Sequence, residues 1–149
     1  MTTIFFDTAG LIALWDRRDQ WHSAAKACLA SLDVTAPRYV TTSYVMIECA
    51  NHAARRVYRP EVVSMRDELG MAGDLFEPLP EEVYSVWDEY ARAIAGTASL
   101  VDLVSFAVMR RLKVTQAFTN DTHFSAAGFE ALFSCGKPEN LSATRAPAA

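Results

Sequence analysis

Glycine is scarce in this chain, 6 of 149 residues, and no G-x-x-x-x-G-K-[ST] loop occurs. That leaves no backbone cradle for nucleotide phosphates. Cysteine is as rare: Cys28, Cys49 and Cys135 form an odd set without C-x-x-C spacing, which excludes a disulfide framework or a zinc site and makes them apolar filler. Long apolar runs are missing too. Runs such as Tyr44 to Ile47 and Leu103 to Met109 stop well short of the roughly 20 residues a membrane span requires. Met1 to Phe6 has no basic start or long apolar core, so no secretory signal is expected and the predicted location is the cytoplasm. Positive charge is not in excess either. A net charge of −4 and a pI near 5.3 argue against broad attraction to phosphate backbones, so any nucleic-acid contact must be local. His22, His52 and His123 lack metal-ligand spacing, and no Ser-His-Asp or Cys-His signature appears.

What remains is a chain 51% hydrophobic and 21% charged, a size and composition suited to one compact domain with a real core. Residues 3 to 7 read as a buried strand ending on Asp7, followed by a short helix over Leu11 to Trp15. Trp21, Ala25, Cys28, Leu29 and Leu32 share helical spacing up to Pro37. A strand at Tyr39 to Thr41 leads to a helix from about Tyr44 to Val57, capped by Thr42 or Ser43. Pro60 starts a helix with Val62, Val63, Met65 and Leu69 inward and Gly70 as its stop. A short strand is expected within Asp74 to Glu77, then a helix from Pro80 with Val83, Trp87, Tyr90, Ala91 and Ile94 on one face. Ser99 caps a helix to Leu112; Gln116 to Thr119 is a strand, His123 to Ala127 one helical turn, and Glu130 to Phe133 a last strand. From Ser134 the composition turns to Ser, Pro, Ala and Gly, which predicts one folded domain over 1–133 and a flexible tail over 134–149. Strands alternating with helices predict a three-layer α/β/α domain around a mostly parallel sheet of four to five strands. Ligands bind beyond the carboxyl ends of such strands.

Four acids carry the chemistry. Asp7 and Asp121 each follow a strand and precede a helix; either fits an ordinary helix cap, and both would reach one crevice. Asp102 completes the capping box Ser99-Leu100-Val101-Asp102, yet shares a helix face with Ser105, Phe106 and Met109. A carboxylate on so apolar a face must raise its pKa or find a partner, and a cation is one. Glu48 lies on a polar stripe with Asn51, His52 and Arg55, where a simple Glu48–His52 pair is the competing reading. Two carboxylates about 4 Å apart repel by roughly 4 kcal/mol at an effective dielectric of about 20. Four in one crevice therefore call for cations, and an all-oxygen set points to Mg²⁺ or Mn²⁺. Such ions suit phosphodiester hydrolysis and explain how an acidic protein could act on a polyanion. The arginines at 55, 56, 59 and 66, and the group Arg110, Arg111 and Lys113, read mainly as solvated helix faces.

The segments Ile4-Phe5-Phe6-Asp7-Thr8-Ala9, Thr42-Ser43-Tyr44-Val45-Met46-Ile47-Glu48, Ser99 to Met109 around Asp102, and Ala117-Phe118-Thr119-Asn120-Asp121-Thr122-His123-Phe124, in that order and spacing, closely resemble PIN-domain proteins. The likeness is strongest to the VapC-like toxins of toxin–antitoxin pairs and covers roughly residues 3 to 133. It implies a PIN fold, Mg²⁺- or Mn²⁺-dependent endoribonuclease activity on an RNA substrate, a homodimer, and a cognate antitoxin protein whose tail occupies the active-site groove. By position, Asp7, Glu48 and Asp102 match the family's core acids and Asp121 the fourth, while Thr8, Ser43 and Thr119 would be supporting hydroxyls and Asn120 would assist Asp121. The acids by themselves leave two alternatives open: a structure-specific DNA nuclease, or a non-catalytic domain that binds a protein or RNA.

Overall fold

In a computed structural model, which describes residues 1–133, five strands form one sheet in the order β3-β2-β1-β4-β5, every neighbouring pair parallel. The strands are β1 (Thr3–Phe6), β2 (Arg38–Thr42), β3 (Leu75–Phe76), β4 (Gln116–Phe118) and β5 (Glu130–Ala131). The helices are α1 (Thr8–Trp15), α2 (His22–Asp33), α3 (Ser43–His52), α4 (Arg59–Ala72), α5 (Pro80–Arg92), α6 (Leu100–Leu112) and α7 (Thr122–Ala126). Successive residues Ile4, Phe5 and Phe6 are all buried, as are Val40, Thr41 and Thr42. Side chains alternate across a strand, so both faces of the sheet are covered, as a parallel sheet requires. The expected tail, 134–149 with Cys135, lies outside the described residues.

The chain fills one side of β1 with β2 and β3, then crosses to the other side for β4 and β5. The order therefore reverses between β1 and β4, and their carboxyl ends flank the crevice where such sheets bind ligands. Close packing narrows this junction. A Cβ on Gly10 would lie 2.0 Å from the Phe118 carbonyl oxygen, so only glycine lets α1 sit this near β4.

Four local expectations are corrected. The helix expected to reach Val57 ends at His52, because the chain turns through Ala53 to Arg56 to bury Tyr58 against Trp15, 6.3 Å between ring centroids. Gly70 continues its helix; the stop is Gly73, whose φ of 75° is the left-handed conformation that suits glycine at a helix end. Val63 is 57% exposed. On α5, Val86 is the buried residue, while Trp87, Tyr90 and, beyond the helix, Ile94 face solvent, because no other element among the described residues covers that flank.

Candidate active site

All four acids expected from the sequence line a single cleft of about 540 Å³ with Thr8, Asn120, His52 and His123. Three are held there by capping bonds, so the capping and functional readings coincide. Asp7, at the carboxyl end of β1, is the N-cap of α1 and accepts from the Ala9 amide at 3.3 Å. Asp121 follows β4, caps α7 and accepts from the His123 amide at 2.8 Å. Asp102 forms the reciprocal box with Ser99: its carboxylate accepts from the Ser99 amide at 3.2 Å, and its own amide donates to Ser99 Oγ at 3.1 Å. Glu48 enters from the middle of α3, half-buried, and makes no ion pair with His52 among the described residues.

Thr119 binds the two strand-end acids together. Fully buried, it donates to Asp7 Oδ2 at 2.7 Å and accepts from the Asp121 amide at 3.0 Å. Thr8 is buried beside Asp7, and its hydroxyl has no hydrogen-bond partner among the described residues. Asn120 also lines the cleft. Ser43 does not. Thr42 caps α3 by accepting from the Val45 amide, so Ser43 begins the helix and its hydroxyl donates to Glu77, away from the cleft.

Burial gives this cluster its electrostatics. Asp7 is pushed up from 3.8 to about 7, first by desolvation and then by the charge of Asp102, against the lowering bond from Thr119. Asp102 is raised to about 6, again by desolvation first and then by Asp121, with Glu48 contributing. Near neutral pH two of the four acids therefore ionise only at a cost, and a bound cation would remove that cost.

His123 was missed as part of the site. One ligand atom each from Asp102, Asp121 and His123 lie within 4.8 Å of one another, so the all-oxygen set expected from the sequence has an imidazole at its edge. The Nδ1–H donates to Asp121 Oδ1 at 2.8 Å and Nε2–H to the Gly96 carbonyl at 3.3 Å. Both partners only accept, so the protonated ring serves both at once. The histidine pKa is accordingly raised, chiefly by the Gly96 carbonyl. The available signal was its position two residues after Asp121, in the first turn of α7. Asp19, Gln20 and Trp21 also line the cleft; Asp19 accepts from the Trp21 amide at 2.8 Å, an Asx turn before α2 that sequence alone does not aim at the acids.

Comparison with known proteins identifies the family. Residues 4–130 match the PIN domain. The chain is 32% identical over 127 residues to the 23S rRNA-specific endonuclease VapC20 of Mycobacterium tuberculosis, covering 85% of this chain and 95% of that protein. The crystal structure of that VapC20, described as a sarcin-ricin loop cleaving toxin, superposes with a TM-score of 0.70 at 29% identity over 85% of this chain and 95% of the other. FitAcB from Neisseria gonorrhoeae shares the fold, with a TM-score of 0.57 at 18% identity over 93% of this chain and 99% of the other. With this match over nearly the whole described region, the chain belongs to the PIN-domain family.

Proposed function

We propose that this chain is a Mg²⁺- or Mn²⁺-dependent endoribonuclease and the toxin of a VapBC-like pair. The observation that carries the reading is the convergence of Asp7, Glu48, Asp102 and Asp121 on one cleft, two of them too deeply buried to ionise cheaply. The donors are carboxylate oxygens with one unpartnered threonine hydroxyl nearby, which fits a hard divalent cation. The four acids would hold it. The chemistry such an ion supplies when bound is activation of a water and neutralisation of phosphodiester charge for in-line displacement.

The chain's own residues do the positioning. Thr119 fixes the spacing of Asp7 and the Asp121 backbone, Ser99 fixes Asp102, and the His123 ring orients the Asp121 carboxylate. The hydroxyls of Ser99 and Thr119 are engaged in these bonds, and that of Thr8 has no hydrogen-bonded base among the described residues to activate it, so hydrolysis by water, without a side-chain nucleophile, is the consistent route. RNA as substrate rests on the likeness to VapC20, which is named for cutting 23S rRNA. A small antitoxin as partner, a cytoplasmic location, a nuclease domain over 1–133 and a homodimer belong to the same reading. For the homodimer, Ile47 on α3 and Val63 on α4, 60% and 57% exposed and lining one shallow groove, supply an apolar surface.

The test is cleavage of ribosomal RNA and of flap DNA, side by side, by the purified chain with Mn²⁺. RNA is cut, chelation stops it, and Asp7→Asn and Asp102→Asn abolish it. An Asp102→Asn chain that cuts as fast as the parent removes the site assignment, and cleavage of DNA alone removes the ribonuclease.

A further inference from the structure

The acid cleft does not end at the acids. At Thr97 and His123 it opens into a second cavity of about 710 Å³ between α5, α6 and α7. Its size is typical of small-molecule sites, which combine an apolar floor with a few placed polar groups. The floor is Leu103 and Phe106, 7% and 3% exposed, and the charged rim is Glu89, Arg92 and Arg110.

Neither rim arginine has an acidic partner among the described residues, a state they share with Arg17, Arg55, Arg56 and Arg59 elsewhere, whereas Arg18, Arg38, Arg66 and Arg111 are ion-paired. Arg92 only donates to the Asp88 carbonyl within its own helix, at 3.2 Å. The Arg110 guanidinium lies over two rings, 6.0 Å from the Phe106 centroid and 5.5 Å from that of Phe129. This cation–π contact keeps the guanidinium beside the cavity with no hydrogen bond or ion pair to its N–H groups among the described residues, and an arginine fork left free in this way can meet a planar acceptor pair. In a chain of net charge −4, two unpaired guanidinium groups beside the acid cleft are a local invitation to an anionic strand.

We infer that this second cavity is a nucleobase subsite for the nucleotide next to the scissile phosphate, and that it prefers guanine. The inference rests on the ribonuclease reading and deepens it. A strand whose phosphate lies at the acids has its neighbouring nucleotide at the Thr97–His123 junction, and single-stranded RNA is recognised by splayed bases met by aromatic and guanidinium planes. Guanine offers the acceptor pair O6 and N7 to one arginine fork. Its N1–H and N2–H₂ donors suit a carboxylate such as Glu89. Adenine turns an amino group toward the fork where guanine has O6, and pyrimidines lack N7. Arg92 remains for the adjoining phosphate.

The test is the ratio of cleavage rates, with Mn²⁺, on short single-stranded RNAs that differ only in the base flanking one scissile bond. A bidentate arginine contact gives roughly 5- to 150-fold discrimination, so the parent chain prefers guanine over adenine within that range. Arg110→Lys keeps the charge but loses the fork, and the preference falls toward unity while overall cleavage persists. Glu89→Gln lowers the same ratio by an independent route, and Lys26→Gln, an exposed charge on α2, leaves it unchanged. A parent chain that cuts RNA without regard to the flanking base overturns the subsite alone. So does an Arg110→Lys chain that slows on every sequence equally, since that marks a phosphate contact. A parent chain that cuts no RNA overturns the ribonuclease reading first, before any variant is made.

Discussion

Replacing Asp7 by asparagine should abolish cleavage yet make the metal-free protein more stable. Asp7 is fully buried and its pKa stands at about 7 instead of 3.8, because burial and the Asp102 charge both oppose ionisation. An acid raised on folding favours the protonated native state. Its contribution is intact below the unfolded pKa of 3.8 and is lost as pH rises through about 7. Each pKa unit is about 1.36 kcal/mol, so the native state is penalised on the order of 4 kcal/mol above neutrality. Asparagine keeps an acceptor for Thr119 and remains a good helix cap, but carries no charge. In chelator, Asp7→Asn should match the parent near about pH 4 and exceed it increasingly toward about pH 8, by a few kcal/mol, or roughly 10 °C in Tm for a domain of this size. Saturating Mn²⁺ should raise the parent's Tm and close most of that gap, since a cation bound to the native state alone stabilises it. Urea denaturation of both proteins across this pH range measures the difference, and groups common to both cancel. A variant less stable than the parent at about pH 8 in chelator, or a gap independent of pH, would refute the electrostatic account of the site.

Four further outcomes are expected. Gly10→Ala pushes a methyl into the Phe118 carbonyl, 2.0 Å from where Cβ must lie, and should cost about 3 kcal/mol or more by urea midpoint; an unchanged midpoint would contradict the close α1–β4 approach. Thr119→Val removes the donor to Asp7 and orphans the Asp121 amide; stability should fall by about 1–3 kcal/mol and calorimetric Mn²⁺ affinity should drop with it. The Cys49 thiol, buried and pushed up to about 12 chiefly by desolvation, should resist a disulfide reagent in the folded chain and react on unfolding, with Cys28 and Cys135 replaced by serine to isolate it. Light scattering at micromolar concentration should give a dimer mass, and Ile47→Glu with Val63→Glu should give a monomer; a monomeric parent would remove the homodimer.

Most of the elements could be read directly. Strand ends at Asp7 and near Asp121, the Ser99 cap and the Pro60 and Pro80 helix starts all depend on residues a few positions apart, and local bonds hold them in the fold. Where the reading slipped, the deciding partner was remote. The apolar face expected on α5 proved exposed because helical periodicity says which residues share a face but not whether another element covers it. Ser43 looked like a supporting hydroxyl, yet Glu77, 34 positions away, takes its bond.

The same division runs through the site. Sequence alone offered Asp7, Asp102 and Asp121 at strand ends and helix starts, Glu48 by family resemblance, and the need for a cation if they met, because these follow from capping chemistry, motif order and charge. Only the tertiary structure decided that they do meet. The sheet order puts β1 beside β4, so that Thr119, next to Asp121, reaches Asp7 across 112 positions of chain, and it brings His123 to the edge of the cluster and Arg110 to the cavity beyond. Electrostatic energies depend on distance and burial, and both are set by the folded chain as a whole.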